Sequence, residues 1–282
     1  MTKKILSTAF LIFCFICNSQ NKDKIKGNRV VTNQLSEVQY FTKLTFGDNF
    51  KVTLVQGCDP SVEIITDSNL HDVIAFNVFE GRLKFQTTHK ITSSKMLDVR
   101  VIYTEALNTI ELTGNAELTA LTTLKLDTLK VVAGDFTKSN FNVISKKFEY
   151  VSKGKSKANL GITSNTIALL LKDNAKLTGR VTGSEITTNL KQHANVLIDG
   201  GCAKLTANLS ETSKLNAENL LLDDAEILTK DKCNTTINVA KTLSIEAYGN
   251  TETVIYGKPA IDLIAFENNA VLRKKENKQQ EE

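Results

Sequence analysis

A short apolar repeat sets the strongest limit on how this chain can fold. Between residues 107 and 272, an apolar residue opens a run of alternating apolar and polar positions about every nineteen residues. Alternation with a period of two predicts β-strands with one buried face. Two short strands and two corners in a unit of fixed length describe one rung of a β-solenoid. We therefore predict an all-β fold, a parallel β-solenoid (β-helix) of about nine rungs, whose starts are Ile110, Leu129, Phe148, Ile167, Ile186, Leu205, Ala225, Leu243 and Ile261.

The same pattern predicts which side chains face inward. Leu169, Leu190, Leu209 and Ile245 should each stack on the equivalent residue one rung away. A small residue should occupy the corner after each run, with Phe136 as an exception, and the predicted corner residues are Ala116, Ser156, Ala175, Ala194, Ser213, Cys233, Thr251 and Ala270.

The segments that flank the repeat predict two protected ends. Residues 38–106 have longer and less regular strands, with a hairpin turn at residues 80–82 and a helical turn capped by Asp67 or Ser68. We expect them to form an N-terminal β-rich cap, because an open sheet end exposes unpaired backbone. Arg273, Lys274 and Lys275 should guard the other end, and residues 273–282 are predicted to be a disordered charged tail.

The first residues predict export from the cytoplasm. Residues 1–19 have the layout of a signal peptide: Lys3 and Lys4, then an apolar run too short to span a bilayer comfortably, then Asn18 and Ser19. Acylation of Cys17, as in a lipoprotein, is the less favoured alternative, because the preceding Phe15 and Ile16 are bulky. Residues 20–37 are predicted to be a flexible leader. The mature chain is expected to lack a transmembrane segment and to lie in the periplasm, on the outer-membrane surface or outside the cell.

Composition argues against several functions. The formal net charge of +4 is mild, with Lys and Glu scattered through outward positions, which indicates a solvated surface rather than a nucleic-acid-binding face. Aromatic residues make up 6% of the chain and Trp is absent, which disfavours a sugar-binding groove.

No motif indicates catalysis, a metal or a cofactor. Solenoid enzymes need convergent carboxylates or a base on adjacent rungs, whereas the acids near the corners, Asp135, Asp173, Glu211 and Asp231, do not all lie on adjacent rungs. We interpret that column as a solvated turn. The histidines have no metal-ligand spacing, and the glycine- and aspartate-rich calcium-binding nonapeptide is absent. We expect a non-enzyme without a cofactor.

Three cysteines remain after the predicted signal peptide, namely Cys58, Cys202 and Cys233. Their odd number prevents complete pairing, and we predict no structural disulfide. Cys233 stands in the small-residue column and should be packed, whereas Cys58 is the best candidate for an exposed thiol.

Two sets of segments carry a family resemblance. They are residues 50–57, 62–70 and 80–83 in the cap, and residues 107–116 at the start of the repeat. Together they resemble the putative auto-transporter adhesin, head GIN domain family, a domain of unknown function in secreted proteins of Bacteroidetes-type bacteria. The resemblance implies adhesion but assigns no catalytic or binding residue. The repeats here are richer in Lys and Leu than in Gly, Ser and Asp, which disfavours calcium-loaded turns.

These observations favour a secreted, non-enzymatic structural or interaction protein of the cell envelope, with adhesion as one role. The alternative is a carbohydrate-binding or carbohydrate-active protein on the same scaffold. A third hypothesis is an envelope sensor or scaffold that needs another gene product. The partner is an unidentified envelope or extracellular protein or glycan, and self-association is also compatible with the pattern.

One outward column contains a candidate interaction surface. Val132, Val151 and Leu170 should lie on consecutive rungs as an apolar stripe, and contiguous exposed apolar surface marks contacts. Either the N-terminal strands or a loop cover this stripe, or a partner or second copy binds it, or the register is wrong. The whole predicted column is Thr113, Val132, Val151, Leu170, Asn189, Asn208, Leu228, Glu246 and Ile264.

Overall fold

A computed structural model describes residues 22–276, and nearly all of its regular structure is β-strand. One 3₁₀-helix, Ser68–Val73, interrupts the strands. The first nine strands are β1 (Lys24–Lys26), β2 (Val31–Glu37), β3 (Lys43–Phe46), β4 (Lys51–Gln56), β5 (Ser61–Asp67), β6 (Ile74–Phe79), β7 (Arg82–Thr87), β8 (Lys90–Ser93) and β9 (Leu97–Tyr103). The repeat then supplies β10 (Thr109–Leu112), β11 (Glu117–Ala120), β12 (Leu124–Lys125), β13 (Thr128–Ala133), β14 (Lys138–Ser152), β15 (Lys157–Leu171), β16 (Lys176–Leu190), β17 (Asn195–Leu209), β18 (Lys214–Thr229), β19 (Asn234–Gly249), β20 (Glu252–Gly257), β21 (Ala260–Asn268) and β22 (Val271–Lys274).

The repeat forms the predicted parallel β-solenoid. Strands β14 to β17 pair in parallel at an offset of nineteen residues, as in Lys138 with Lys157 and Lys157 with Lys176. Each of these strands runs for fifteen residues along one wall, bends, and continues along the other wall. A tight turn then leads to the next rung. The second predicted corner is therefore a bend within one long strand.

The first rung start was assigned wrongly. Ile110 pairs with Val131, not with Leu129, so the offset here is twenty-one residues. The extra length lies after β11, because Thr119 pairs with Asn140 whereas Leu124 pairs with Val143. Two additional residues thus bulge out of this rung. A register error of two residues leaves every side chain on its predicted face, because side chains along a strand alternate with a period of two.

The corner position in the rung of Phe136 was also assigned wrongly, by one residue. The buried corner position of this rung is Thr137, whose exposed fraction is 0%, whereas Phe136 is 57% exposed. The amide N–H of Thr137 donates to the Gly134 carbonyl at 3.2 Å, the bond that Ala175 makes to Lys172 in its own rung. The small-residue column therefore continues through this rung without a break.

The inward positions are as predicted. Leu169, Leu190 and Ile245 have no exposed surface, and Leu209 is 2% exposed. Leu190 lies between Leu171 and Leu209 on the neighbouring rungs. One contiguous core extends from Phe41 to Ile255, so the repeat and the cap share a single hydrophobic interior.

The N-terminal cap continues the stacking of the repeat. Leu44 in β3 pairs in parallel with Ile110, and Val52 in β4 pairs with Leu118. No break therefore separates residues 38–106 from the solenoid at residue 107. The predicted hairpin joins β6 and β7 through Glu80 and Gly81, both with positive φ (48° and 69°), as a type I′ turn requires. The predicted helical turn is the 3₁₀-helix, although Asp67 makes no side-chain cap to it.

The prediction of a flexible leader was wrong for residues 24–37. β1 pairs with β8, and β2 pairs with β5 along its whole length, from Val31 with Asp67 to Glu37 with Ser61. Four consecutive residues of β2 are exposed. The strand is held by backbone hydrogen bonds rather than by apolar burial, so it lacks the alternation that reveals a strand in a sequence.

The C-terminal end is less protected than predicted. Arg273 and Lys274 belong to β22 rather than to a disordered tail. β21 pairs with β19 only, within the part of the chain that the structure describes. It leaves Ile261, Leu263 and Phe266 more than 40% exposed, so Arg273 and Lys274 do not cover this end of the core. The predicted signal peptide and residues 277–282 lie outside the described residues.

Candidate interaction surface

The acids at the tight turns stabilise the turns themselves. Asp135 and Asp173 adopt positive φ values of 55° and 60°. The Asp173 carboxylate accepts the backbone N–H of Gly154 on the preceding rung at 2.8 Å, and Asp135 accepts that of Gly114 at the same distance. Asp231 accepts the N–H of Glu211 at 2.9 Å. These carboxylates satisfy turn amides that have no other partner in the ladder, which gives them a structural role.

The histidines do not meet one another. His71 hydrogen-bonds Thr32 through Nε2 at 3.0 Å, His89 contacts Thr88, and His193 contacts Thr212. Across residues 22–276, no three His, Cys, Asp or Glu side chains lie close enough together to hold a metal ion. The same residues include no helix long and apolar enough to cross a bilayer.

The cysteine thiols provide no activated nucleophile. All three are free: Cys58 is exposed, and Cys202 and Cys233 are buried. Burial raises the pKa of both buried thiols, which keeps them protonated and unreactive. Cys233 donates to the Lys230 carbonyl at 3.0 Å within the small-residue column, and its environment fits a packing role.

Two of the surface hollows lie on or beside the N-terminal cap. One has a volume of about 360 Å³ and is lined by Phe50, Ile91 and Leu97 with an ion pair of Lys22 and Asp48 at its rim. The other, of about 560 Å³, is lined by Lys43, Arg82 and other polar residues. Neither brings together a nucleophile and a base.

The apolar stripe lies on consecutive rungs as its residues predict. Val132 pairs with Val151, and Val151 with Leu170. All three point outward, and each is half-buried. The column differs from the prediction at its two ends, where Glu111 replaces Thr113 and Ala265 replaces Ile264. The offset at the first end is twenty-one residues, and at the second end a bulge at Ile264 shifts the register between Leu263 and Ala265.

Polar residues surround the stripe on this wall. The adjacent outward column carries an ion pair between Lys130 and Glu149, whose Nζ and Oε1 atoms are 2.9 Å apart. Further along the stripe's own column, Asn208 donates to Asn189 at 3.0 Å. Val132, Val151 and Leu170 are thus a small apolar surface in a hydrophilic wall.

Lysines line the tight turn next to the stripe, an arrangement that the sequence analysis missed. Lys138, Lys157 and Lys176 pair in register on the strand that follows the turn. Three further lysines lie at the start of the turn, directly after the preceding strand. The backbone N–H of each donates to the preceding rung at 3.0 Å, and these residues are Lys153, Lys172 and Lys191. We call these six residues the lysine corner; the nineteen-residue spacing of lysines could have revealed it.

The family called putative auto-transporter adhesin, head GIN domain, matches residues 40–259. The chain belongs to this family. The match covers the cap and most of the solenoid, and it confirms the resemblance seen in the sequence. None of the curated proteins matches the chain.

Solved structures share the fold of this head GIN domain protein at low sequence identity. A putative adhesin from Parabacteroides merdae is 15% identical, with a TM-score of 0.68 over 90% of this chain and 99% of its own. A putative adhesin from Parabacteroides distasonis is 15% identical, with a TM-score of 0.65 over 89% of this chain and 100% of its own. A putative lipid binding protein from the same species is 12% identical, with a TM-score of 0.61 over 90% of this chain and 98% of its own.

Proposed function

We propose that this protein is an extracytoplasmic, non-enzymatic, adhesin-like protein that binds a protein partner through the wall carrying Val132, Val151 and Leu170. The stripe itself carries the proposal. Three apolar side chains in register, partly exposed on an otherwise hydrophilic wall, form a surface that gains from being covered. The family and its solved relatives, which are named as adhesins, support the same role.

The chemistry of the described residues supports a binding role over a catalytic one. The turn carboxylates are engaged with backbone amides, the buried thiols are protonated, and the histidines are separated. A solenoid instead provides a long, rigid wall whose side chains repeat at a fixed spacing. Such a wall suits contact with an extended partner.

Replacing Val151 with Thr and Leu170 with Asn in one variant should weaken partner capture by tenfold or more and leave the fold intact. Both side chains point outward, so the change removes apolar contact area without opening a cavity. Pull-down from envelope fractions of the native host, with the captured proteins quantified by mass spectrometry, measures the effect. Thermal melting of the same sample verifies the fold.

Leu228→Asn is the matched control, because Leu228 belongs to the same outward column but is isolated from the stripe by Asn189 and Asn208. It should capture the partner as the wild type does. A lower melting temperature with unchanged capture in the double variant would show that the stripe is internal. Loss of a dimer in sedimentation analysis would instead assign the stripe to self-association.

The extracytoplasmic location predicts a processed N-terminus. Protein purified from the native host should lack residues 1–19 and begin at Gln20, which intact-mass measurement can detect. A diacylglyceryl adduct on Cys17 would instead show that the protein is a lipoprotein. A full-length chain in the cytoplasmic fraction would contradict the proposed location.

A further inference from the structure

The lysine corner holds positive charge that the described residues leave largely unneutralised. Of its six lysines, Lys138 alone forms an ion pair, with Glu117 at 2.7 Å. The nearest acids in the turns, Asp135 and Asp173, accept backbone amides of neighbouring rungs, and their charges offset only part of that of the lysines. Lys155, also exposed, lies within the same set of turns, with its Nζ 5.6 Å from the Phe136 ring centre. This edge therefore carries a strong local excess of positive charge.

The stacking of the rungs holds the lysine side chains close together although their positive charges repel one another. Paired residues of neighbouring strands lie roughly 4.8 Å apart, and directly opposed like charges on a sheet are destabilising. Lys138, Lys157 and Lys176 occupy three such positions in succession. An anion that lies across the rungs would relieve this repulsion.

We propose that the lysine corner binds a linear anionic polysaccharide that runs parallel to the solenoid axis. Two straight columns of cations, one on each side of the turn, match a polymer that carries one carboxylate or sulfate on each sugar. The site goes beyond the proposed protein contact at the stripe and does not require it. The stripe lies beside the corner on the same wall, since Val151 is two residues before Lys153.

Other polyanions fit this surface less well. The corner contains lysine and no arginine, so it lacks the bidentate fork that favours individual phosphates. Phe136 is the one large exposed aromatic residue in the turns of these rungs, whereas single-stranded nucleic acid requires a series of stacking platforms. A bilayer is a plane, whereas the six lysines lie in two columns along one edge of the solenoid.

Polygalacturonate, a linear polymer with one carboxylate on each sugar, is the probe. We expect it to bind the mature protein at low ionic strength and to dissociate as salt increases. Replacing Lys157, Lys172 and Lys176 with Gln should weaken binding at least tenfold and make its salt dependence shallower. The melting temperature should stay the same or rise, because the substitutions remove like-charge repulsion.

A second variant removes the same charge elsewhere. Lys24, Lys84 and Lys125 are exposed, lie outside the corner and form no ion pair in the described structure. Their triple replacement with Gln should change affinity by less than about twofold. Equal losses in both variants would show that net charge alone attracts the polymer and would overturn the site. The Val151→Thr, Leu170→Asn variant retains all six lysines and should bind normally, so this inference and the stripe contact can fail separately.

Three comparisons of ligands complete the test. Neutral dextran should not bind, and equal binding of dextran would overturn the role of charge. Duplex DNA of the same charge should bind more weakly than polygalacturonate, and stronger binding of DNA would overturn the choice of polymer. Vesicles of phosphatidylglycerol should not compete; binding to vesicles without binding to polygalacturonate would assign the corner to membrane surfaces.

Discussion

Replacing Leu190 with Asp should destabilise the protein by about 4 kcal/mol or more. Leu190 has no exposed surface and packs between Leu171 and Leu209 of the adjacent rungs. The substitution removes a buried isobutyl group and places a carboxylate where no cation or amide can reach it. Because each rung contacts mainly its neighbours, the damage should begin locally and then separate the two halves of the stack.

Urea denaturation followed by circular dichroism measures this effect. Asn189→Asp is the matched control, because Asn189 immediately precedes Leu190, points outward, and already accepts a hydrogen bond from Asn208. It should change the free energy of unfolding by less than about 0.5 kcal/mol. Similar losses in both variants would mean that the two faces of β16 are not distinguished as the structure shows.

Replacing Asp67 with Ala should cost about 2 to 4 kcal/mol and release the N-terminal strands. The Asp67 side chain is fully buried. Its carboxylate accepts the backbone N–H of Arg29 at 3.0 Å and that of Lys95 at 3.1 Å. One side chain thus joins β5 to the loop before β2 and to the loop before β9, and alanine would leave two amides without their acceptor.

Amide hydrogen exchange shows which strands lose protection in Asp67→Ala. Amides of residues 31–37 should lose protection in Asp67→Ala, while those of β14 to β17 remain protected, because Arg29 and Lys95 both lie N-terminal to the solenoid. Asp72→Ala is the control, since Asp72 lies in the adjacent 3₁₀-helix and is exposed. Uniform loss of protection along the whole chain would show that the cap and the solenoid unfold as one unit.

The position of the acids shows why site prediction from this sequence was limited. The sequence indicated that the turn column was solvated and not catalytic, but it did not reveal that Asp173 caps Gly154 nineteen residues earlier. That contact depends on the register between two rungs. The stripe was easier to predict, because its three residues lie in the stretch where the repeat is regular.

Local periodicity determined the fold from the sequence alone. The two-residue alternation fixes which face of each strand is buried, and the nineteen-residue spacing brings Leu129, Phe148 and Ile167 into one column. These are short-range properties, so an error of two residues at Ile110 left the inward and outward faces correct.

Tertiary structure alone decided the features that depend on pairing between distant segments. β2 has no apolar alternation, and only its backbone ladder with β5 makes it a strand. The lysines share the nineteen-residue spacing of the repeat, but that spacing alone does not show that they meet at one edge. They form one charged edge only after the rungs stack in register, since stacking converts a distance of nineteen residues along the chain into a single strand spacing.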